Sequence, residues 1–324
     1  MKKISIPAIL LTTLVFALFL SLGPSLSPVA ATSHGSVVPS ALAEGTSTSP
    51  ESVTSEPTGA QVIASADLLG LSGRLRAVMG TPETLEQNPL LKPALASSAA
   101  GGGSWVKLPT AEGDSFTVVT LVPISDADEA GYGRYHVGSW PHDAMTASAA
   151  RYTPPSGFIG VTQENQGTKV SESFAVRDFL THDQANVWPK VLVLQPRILD
   201  KLELLRAELA KEGYPNQLHV MSGFRTPQYN KQGVGEGGRA SHSRHMYGDA
   251  ADVFVDADGN GWMDDLNGDG KVDIKDSHVL KAAAERVESQ YPTLVGGIGT
   301  YPSNGVHGPF VHVDARGVRA RWGE

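Results

Sequence analysis

The sequence predicts an α+β fold in which a small β domain precedes a region of mixed helices and strands. Two observations lead to this prediction. Residues 105–163 contain β-rich runs at 117–122 and 157–161 that are bounded by turn residues. From about residue 170, apolar residues recur at helical spacing between further short apolar runs. The length of 324 residues accommodates about one to three domains.

The composition is that of an ordinary globular protein, and it excludes several classes of function. The chain has 26 Lys and Arg against 34 Asp and Glu, and its net charge of −8 argues against a protein that binds duplex nucleic acid. The absence of cysteine excludes disulfides, cysteine zinc ligands, a thiol nucleophile and a lipidated N-terminal cysteine. Any metal ion must therefore be bound by His, Asp or Glu.

The N-terminus has the pattern of a secretory signal peptide over residues 1–31. Two lysines precede an apolar stretch at 4–22, and small residues follow just before the expected cleavage site after Ala31. A second small-x-small candidate lies at residues 41–43. The alternative is a retained anchor, because the apolar stretch is long enough to span a bilayer. After cleavage we expect no stable membrane anchor and a periplasmic, extracellular or cell-wall location.

The segments before the mixed region differ in composition. Residues 32–60 are rich in Ser, Thr, Pro, Gly and Ala, which predicts a flexible, disordered linker. Residues 61–103 contain short helical patterns, such as 66–71, and end in a glycine-rich break. Residues 104–165 form the predicted small β domain. Its sequence indicates no chemistry, so a packing or spacer role is the simpler interpretation.

The region over residues 170–324 alternates helices and strands. Short apolar runs predict strands at 218–221, 251–255 and 310–314. Apolar residues at helical spacing predict two helices, one ending at Gly213 and one before Pro292. These apolar residues are Ile198, Leu202, Leu205 and Leu209 in the first helix, and Val279, Leu280, Ala283 and Val287 in the second.

Two histidines and one aspartate in this region have the pattern of a metal site. His245 and Asp252 lie seven residues apart, and Gly248 between them permits a close approach. Asp252 lies in an apolar strand, where an unpaired carboxylate is costly unless a cation compensates it. His312 lies in another apolar strand, with Asp314 on the same face. If the strands pair, the three side chains converge as a zinc site with an open position.

Each of these residues also has a simpler interpretation when it is considered alone. A histidine in a strand is more often a hydrogen-bonded core residue, and Asp252 could pair with an arginine or cap a turn. The motifs around these residues, however, resemble the zinc D-alanyl-D-alanine carboxypeptidase family, whose fold is shared with hedgehog signalling domains and with phage and vancomycin-resistance dipeptidases. The similar segments, in order from about residue 174 to the C-terminus, are residues 222–227, 243–252, 296–301, 310–314 and 321–322.

The resemblance implies a small antiparallel sheet with flanking helices, and it implies roles for individual residues. His245, Asp252 and His312 would bind zinc. Arg225 would stabilise the developing oxyanion or bind a substrate carboxylate, and both roles suit a planar, permanently charged group. Without the resemblance, Arg225 would be interpreted as a surface turn residue. The family's usual substrate is a peptidoglycan stem or cross-link peptide, which fits an exported protein.

The general base is uncertain because the chain departs from the family pattern. Many members have a glutamate three residues before the second zinc-binding histidine, where this chain has Pro309, and others have a histidine at the position of Phe310. Asp314 and His307 are the candidate bases, acting directly or through a water molecule. Asp314 could instead orient His312 as a hydrogen-bond partner. Both roles stay open at this point.

Residues 256–276 form an acidic insertion with the spacing of calcium-binding loops. Its second run resembles the dockerin variant of the EF-hand, with a glycine at position 6 and a helix directly after the loop. The implied ligands are Asp265, Asn267, Asp269, Lys271 through its carbonyl, Asp273 and Asp276. A possible second, overlapping site comprises Asp256, Asp258, Asn260 and Asp264. The alternative is an acidic solvated loop, and a calcium ion here would be structural or regulatory.

These observations predict an exported zinc metallopeptidase that cleaves peptidoglycan peptides as a carboxypeptidase or an endopeptidase. Pro309 and Phe310 support a rival function, a non-catalytic zinc-containing module that binds the cell wall or a partner. A third hypothesis is a calcium-dependent adhesion or assembly module, whose binding to a partner would survive loss of His245.

Overall fold

The computed structural model describes most of the chain after residue 68, namely residues 69–74, 76–92, 103, 105–127, 131–141, 149–235 and 239–323. The predicted signal peptide (1–31) and linker (32–60) lie outside the described residues. Within the described residues the strands are β1 (Val78–Gly80), β2 (Trp105–Pro109), β3 (Ser115–Thr120), β4 (Val122–Pro123), β5 (Gly157–Val161), β6 (Lys190–Leu192), β7 (Leu218–Ser222), β8 (Ala250–Val255), β9 (Gly297–Tyr301), β10 (Phe310–Asp314) and β11 (Ala320–Trp322).

The α-helices of the described residues are α1 (Pro82–Glu86), α2 (Pro196–Lys211), α3 (Pro227–Lys231) and α4 (Ile274–Gln290). Helices therefore stand beside small, mostly antiparallel sheets, and the predicted α+β class is confirmed. None of the helices in the described part of the chain is long and apolar enough to cross a membrane.

A five-stranded sheet forms the centre of the C-terminal half, in the order β11-β9-β10-β8-β7. Its strands are antiparallel neighbours except β11, which runs parallel to β9. Val253, Val311 and Val313 are fully buried in the core on one face. Since side chains alternate between the faces, Asp252 and His312, which lie directly opposite each other, point to the other face. Burial of the valines thus fixes the register that brings these two side chains together.

Helices α2 and α4 pack against each other, and α4 packs on β9 and β10. Helix α2 begins with Pro196, whose fixed φ suits a first helical turn, and its predicted apolar residues are all buried. The chain leaves it through Gly213 at a φ of +80°, as the sequence predicts. Helix α4 begins after Asp273, and the side chains of Asp273 and Asp276 cap its first turn.

Two three-stranded sheets precede this part of the chain, in the orders β1-β3-β2 and β4-β5-β6. Strand β6 lies within the region predicted as residues 170–324, so the second sheet joins strands from both sides of the predicted boundary. One cluster of buried hydrophobic side chains also extends from Ala77 to Val313. The hydrophobic core therefore continues across the boundary predicted near residue 165.

The sequence predicts a helical pattern over residues 66–71, of which the structure describes residues 69–71. For these residues the prediction is wrong. Residues 69–74 contain turns and no helix. The amide of Gly73 donates to the carbonyl of Gly70 at 3.0 Å, and Gly73 adopts a φ of +70°. A glycine in the left-handed region ends a helical turn, which explains the difference.

Candidate functional site

The site begins at a tight turn that joins His245 to strand β8. His245 lies in a short 3-10 helix over Arg244–Tyr247, and Gly248 ends that helix with a φ of +71°. A Cβ atom at Gly248 would overlap the backbone carbonyl of Val193. Only glycine fits this position without displacing the backbone that follows β6. The turn therefore holds His245 close to Asp252.

His245, Asp252 and His312 converge into one group, which we call the metal row. His245 Nε2 lies 3.1 Å from Asp252 Oδ1 and 3.1 Å from His312 Nδ1, and His312 Nδ1 lies 2.9 Å from the same Asp252 oxygen. All three side chains are buried. The sequence analysis expected this convergence, and the structure brings the three residues together among those it describes.

The protonation of the two imidazoles indicates that the metal row fits a cation. His245 Nδ1 lies 2.6 Å from the carbonyl oxygen of Gly223, which can only accept, so this nitrogen carries the proton. His312 Nε2 faces the carboxylate of Asp314 at 3.1 Å and donates in the same way. When both rings are neutral, they therefore direct two lone pairs towards an oxygen of Asp252. Three acceptors meeting within 3.1 Å need a positive centre.

The pKa shifts of the metal row indicate that a proton on His312 can also supply this positive centre. Burial lowers the pKa of His245, so this ring is held neutral. Burial also lowers the pKa of His312, but its hydrogen bonds to Asp252 and Asp314 outweigh burial and raise that pKa above its ordinary value. Burial raises the pKa of Asp252, but the adjacent histidines and Arg225 outweigh it and hold that pKa well below its ordinary value. A metal ion or a proton thus satisfies the same negative centre.

Arg225 lies at the metal row rather than on an exposed turn. Its Nη2 donates to Oδ2 of Asp252, and its Nε donates to Ser222 Oγ at 2.9 Å. The chain reaches this position through Gly223, where a Cβ atom would overlap the backbone of Phe179. The guanidinium therefore offers its remaining donors beside the oxygen of Asp252 that faces away from the histidines.

Asp314 is completely buried, and both of its oxygens already accept hydrogen bonds. Its Oδ2 faces His312, its Oδ1 accepts from the amide of Gly297 at 2.9 Å, and Arg316 donates to both oxygens. Burial raises the pKa of Asp314, but the hydrogen bonds from His312 and Arg316 outweigh it and hold that pKa far below its ordinary value. This carboxylate is placed to orient His312 and stays ionised.

His307 lies outside the metal row, in the segment between β9 and β10. Its Nδ1 lies 2.8 Å from the carbonyl of Gly308 and its Nε2 lies 2.8 Å from Asn304 Nδ2. Its ring packs edge-on against Phe310, with 4.9 Å between the ring centroids. His307 is partly exposed and precedes the strand that carries His312, so it is accessible to a ligand.

Trp322 and Tyr301 complete the other side of the metal row, and the sequence analysis gave them no role. The Trp322 ring lies 5.1 Å from that of His312, and its Nε1 donates to the Tyr301 hydroxyl at 2.7 Å. Gly299 makes room for this ring, because a Cβ atom there would overlap it. Burial raises the pKa of Tyr301, so its hydroxyl stays a donor. The sequence signal for this contact is the pair of alternating glycines, Gly297 and Gly299, before Tyr301, because glycines on one strand face leave space for an aromatic ring.

The acidic insertion brings together fewer carboxylates than the calcium-loop pattern predicts. Asp256, Asp258 and Asp264 each place one oxygen within 4.8 Å of the others. The second run does not form a comparable group among the described residues. Instead, Asp265 accepts from backbone amides of its own loop, and Asp276 accepts from the amides of Leu266, Asn267 and Asp273.

Comparison with known proteins gives one family match. Residues 173–263, less than a third of the chain, match the Peptidase M15 family. The matched segment contains Arg225, His245 and Asp252, and His312 follows it. The resemblance noted from the sequence is therefore confirmed for this segment, whereas the calcium-loop insertion stays a prediction. No curated protein and no solved structure matched the chain.

Proposed function

Since residues 173–263 match Peptidase M15, a family of zinc peptidases that act on cell-wall peptides, we propose that this protein is an exported zinc metallopeptidase of peptidoglycan. The bond it cleaves would be of the D-Ala-D-Ala carboxypeptidase or the endopeptidase type. The proposal rests on the metal row, in which His245 Nε2, Asp252 Oδ1 and His312 Nδ1 are buried and lie within 3.1 Å of one another. Export would follow cleavage after Ala31 and place the protein in the periplasm or the cell wall.

Zinc would be bound by His245 Nε2, Asp252 Oδ1 and His312 Nδ1, which are ligand types that zinc prefers. When bound, a zinc ion supplies Lewis acidity, which polarises a carbonyl and acidifies a water molecule. The Arg225 guanidinium would bind the carbonyl oxygen or a carboxylate of the peptide, and its hydrogen bond to Asp252 Oδ2 would be either broken or kept. The Tyr301 hydroxyl would be a second hydrogen-bond donor, besides Arg225, on the opposite side of the metal row.

Digestion of purified peptidoglycan tests this proposal most directly. The protein lacking residues 1–31 would be incubated with the wall, with zinc or with a chelator, and the muropeptides would be analysed by mass spectrometry. We expect loss of a terminal D-Ala or a split cross-link in the zinc-loaded sample alone. A folded, zinc-loaded protein that releases no peptide would contradict the proposal.

The rival function is a zinc-containing module that binds the wall or a partner without cleaving it. The supporting observation is that Phe310 is stacked on Tyr301 at 4.5 Å and Pro309 is buried, so neither family position offers a proton-transfer group. Co-sedimentation with peptidoglycan separates the two functions. Binding without any released muropeptide favours the module.

Asp314 and His307 have different roles under the proposed function, and a pair of variants distinguishes them. We expect Asp314→Asn to weaken zinc affinity about 10- to 100-fold, because the amide orients His312 less well and lowers its basicity. We expect His307→Ala to leave zinc affinity unchanged and to lower kcat, because His307 is the accessible candidate for proton transfer. Zinc titration and steady-state kinetics measure both. Unchanged affinity in Asp314→Asn would contradict the positioning role.

We also propose that calcium binds the acidic insertion and stabilises it. The support is the calcium-loop spacing and the approach of Asp256, Asp258 and Asp264 within 4.8 Å. We expect millimolar calcium to raise the midpoint of thermal unfolding by a few degrees in chelator-treated protein, because an ion that binds the folded state stabilises it. Asp258→Asn should remove this increase, and Asp126→Asn, outside the insertion, should keep it. An equal response in both variants would refute the site.

A further inference from the structure

A groove runs along the sheet face that carries the metal row, on the side of β7. It encloses about 340 Å³, which is near the lower end of ligand-binding cavities. His219 and Phe254 form its floor, with their rings stacked at 5.7 Å. Phe254 follows Asp252 by two residues on β8 and therefore lies on the same face. Phe254 thus places the floor of the groove two residues along β8 from Asp252, on the face of the metal row.

The acidic insertion supplies one wall of this groove. Trp262 stands at the rim with 48% of its surface exposed. Gly308, on the opposite wall, lies against its ring, and a Cβ atom there would lie 3.0 Å from Trp262 Cε3. A tryptophan ring at the edge of a cavity offers a ligand a large apolar contact surface. The insertion therefore shapes the approach to the metal row.

The chemistry of the lining selects an uncharged ligand. Among the described residues that line the groove there is no Asp, Glu, Lys or Arg. Its polar side chains are the imidazoles of His182, His219 and His307, and the others are apolar. A charged chain end would lose water here without gaining an opposite charge. Arg225, in contrast, offers its charge at the metal row itself.

We propose that the groove formed by His219, Phe254, Trp262 and His307 is a subsite for an uncharged stretch of the substrate peptide beside the scissile bond. This inference rests on the proposed function and names the part of the substrate that the insertion recognises. The occupant is peptide rather than glycan, because Phe254 in its floor lies two residues from Asp252 on the same strand face, next to the group that would act on a peptide bond. The insertion is then a specificity element as well as an acidic loop.

The test compares two synthetic peptides that share the bond cleaved in peptidoglycan. One ends close to that bond, and the other continues for two neutral residues on each side. With the zinc-loaded protein we expect kcat/KM to be about tenfold higher for the longer peptide. Trp262→Ala should abolish this preference and leave the shorter peptide unaffected. Val272→Ala, which truncates another exposed side chain of the insertion, should keep the preference.

The outcomes separate this inference from the proposed function. Equal kcat/KM values for the two peptides, or a preference that persists in Trp262→Ala, would overturn the subsite while the peptidase function stands. If neither peptide is cleaved, the proposed function fails. Calorimetric titration with the longer peptide then tests whether the groove binds peptide. Weaker binding by Trp262→Ala supports the subsite, whereas equal affinity, or binding of glycan fragments in place of peptide, overturns it.

Discussion

Replacement of His245 by alanine is expected to abolish both zinc binding and peptide release. The variant loses one of three converging ligands and leaves Asp252 with a single histidine and Arg225 as neighbours. Loss of an orienting partner of a ligand costs about 10- to 100-fold in metal affinity or activity, and loss of the ligand itself is expected to exceed this. Muropeptide analysis and zinc content per chain are the measurements.

Two further variants make this prediction specific. Asp252→Asn keeps the shape of the side chain, so it tests the charge of the ligand without the cavity that His245→Ala creates in the core. His278→Ala removes an exposed histidine of α4, away from the metal row, and should keep both zinc and activity. If His245→Ala retained zinc and released peptide at the wild-type rate, the metal row would not be the catalytic centre.

Lys201→Met is expected to lower the free energy of unfolding by about 3 kcal/mol. Lys201 is completely buried, and its Nζ donates to Glu288 Oε1 and to the carbonyl of Asp314, each at 2.6 Å. Methionine fills the space but leaves that carbonyl without its donor and the carboxylate with fewer partners. Glu288 keeps Arg321, which places the expected loss at the lower end for a broken buried pair.

Urea unfolding at fixed zinc concentration measures this loss. Lys275→Met is the matched control, because Lys275 forms an ion pair with Asp269 at 2.9 Å on the exposed surface of the insertion. Removal of an exposed pair is expected to leave stability nearly unchanged. A Lys201→Met protein as stable as the Lys275→Met protein would show that the buried lysine contributes little.

Periodicity predicted the elements that carry the metal row, because their patterns are local. The alternation in 310–314 placed His312 on the face that the structure shows, and Asp252 lies directly opposite it on the neighbouring strand. The apolar spacing of α2 and its end at Gly213 followed from helix geometry. The convergence of His245, Asp252 and His312 could be expected because a pairing of two strands was enough to produce it.

Other features could not be predicted, because they depend on contacts between distant segments. The pairing of β6 with β5 joins regions that differ in composition, so the sequence indicated a boundary there. The choice between the two roles of Asp314 depended on Arg316 and on the amide of Gly297, whose positions only the folded sheet defines. The Trp322 ring reaches His312 across Gly299, and no local pattern specifies that contact.

Asp314 connects the helix layer to the metal row, because its backbone and its side chain contact different neighbours. Its backbone carbonyl accepts from Lys201 between the helices, and its carboxylate faces the His312 ring on the other side of the sheet. A displacement of β10 large enough to free His312 would also break the contact to Lys201. Under the proposed function, the position of this metal ligand is therefore tied to the packing of the helix layer behind it.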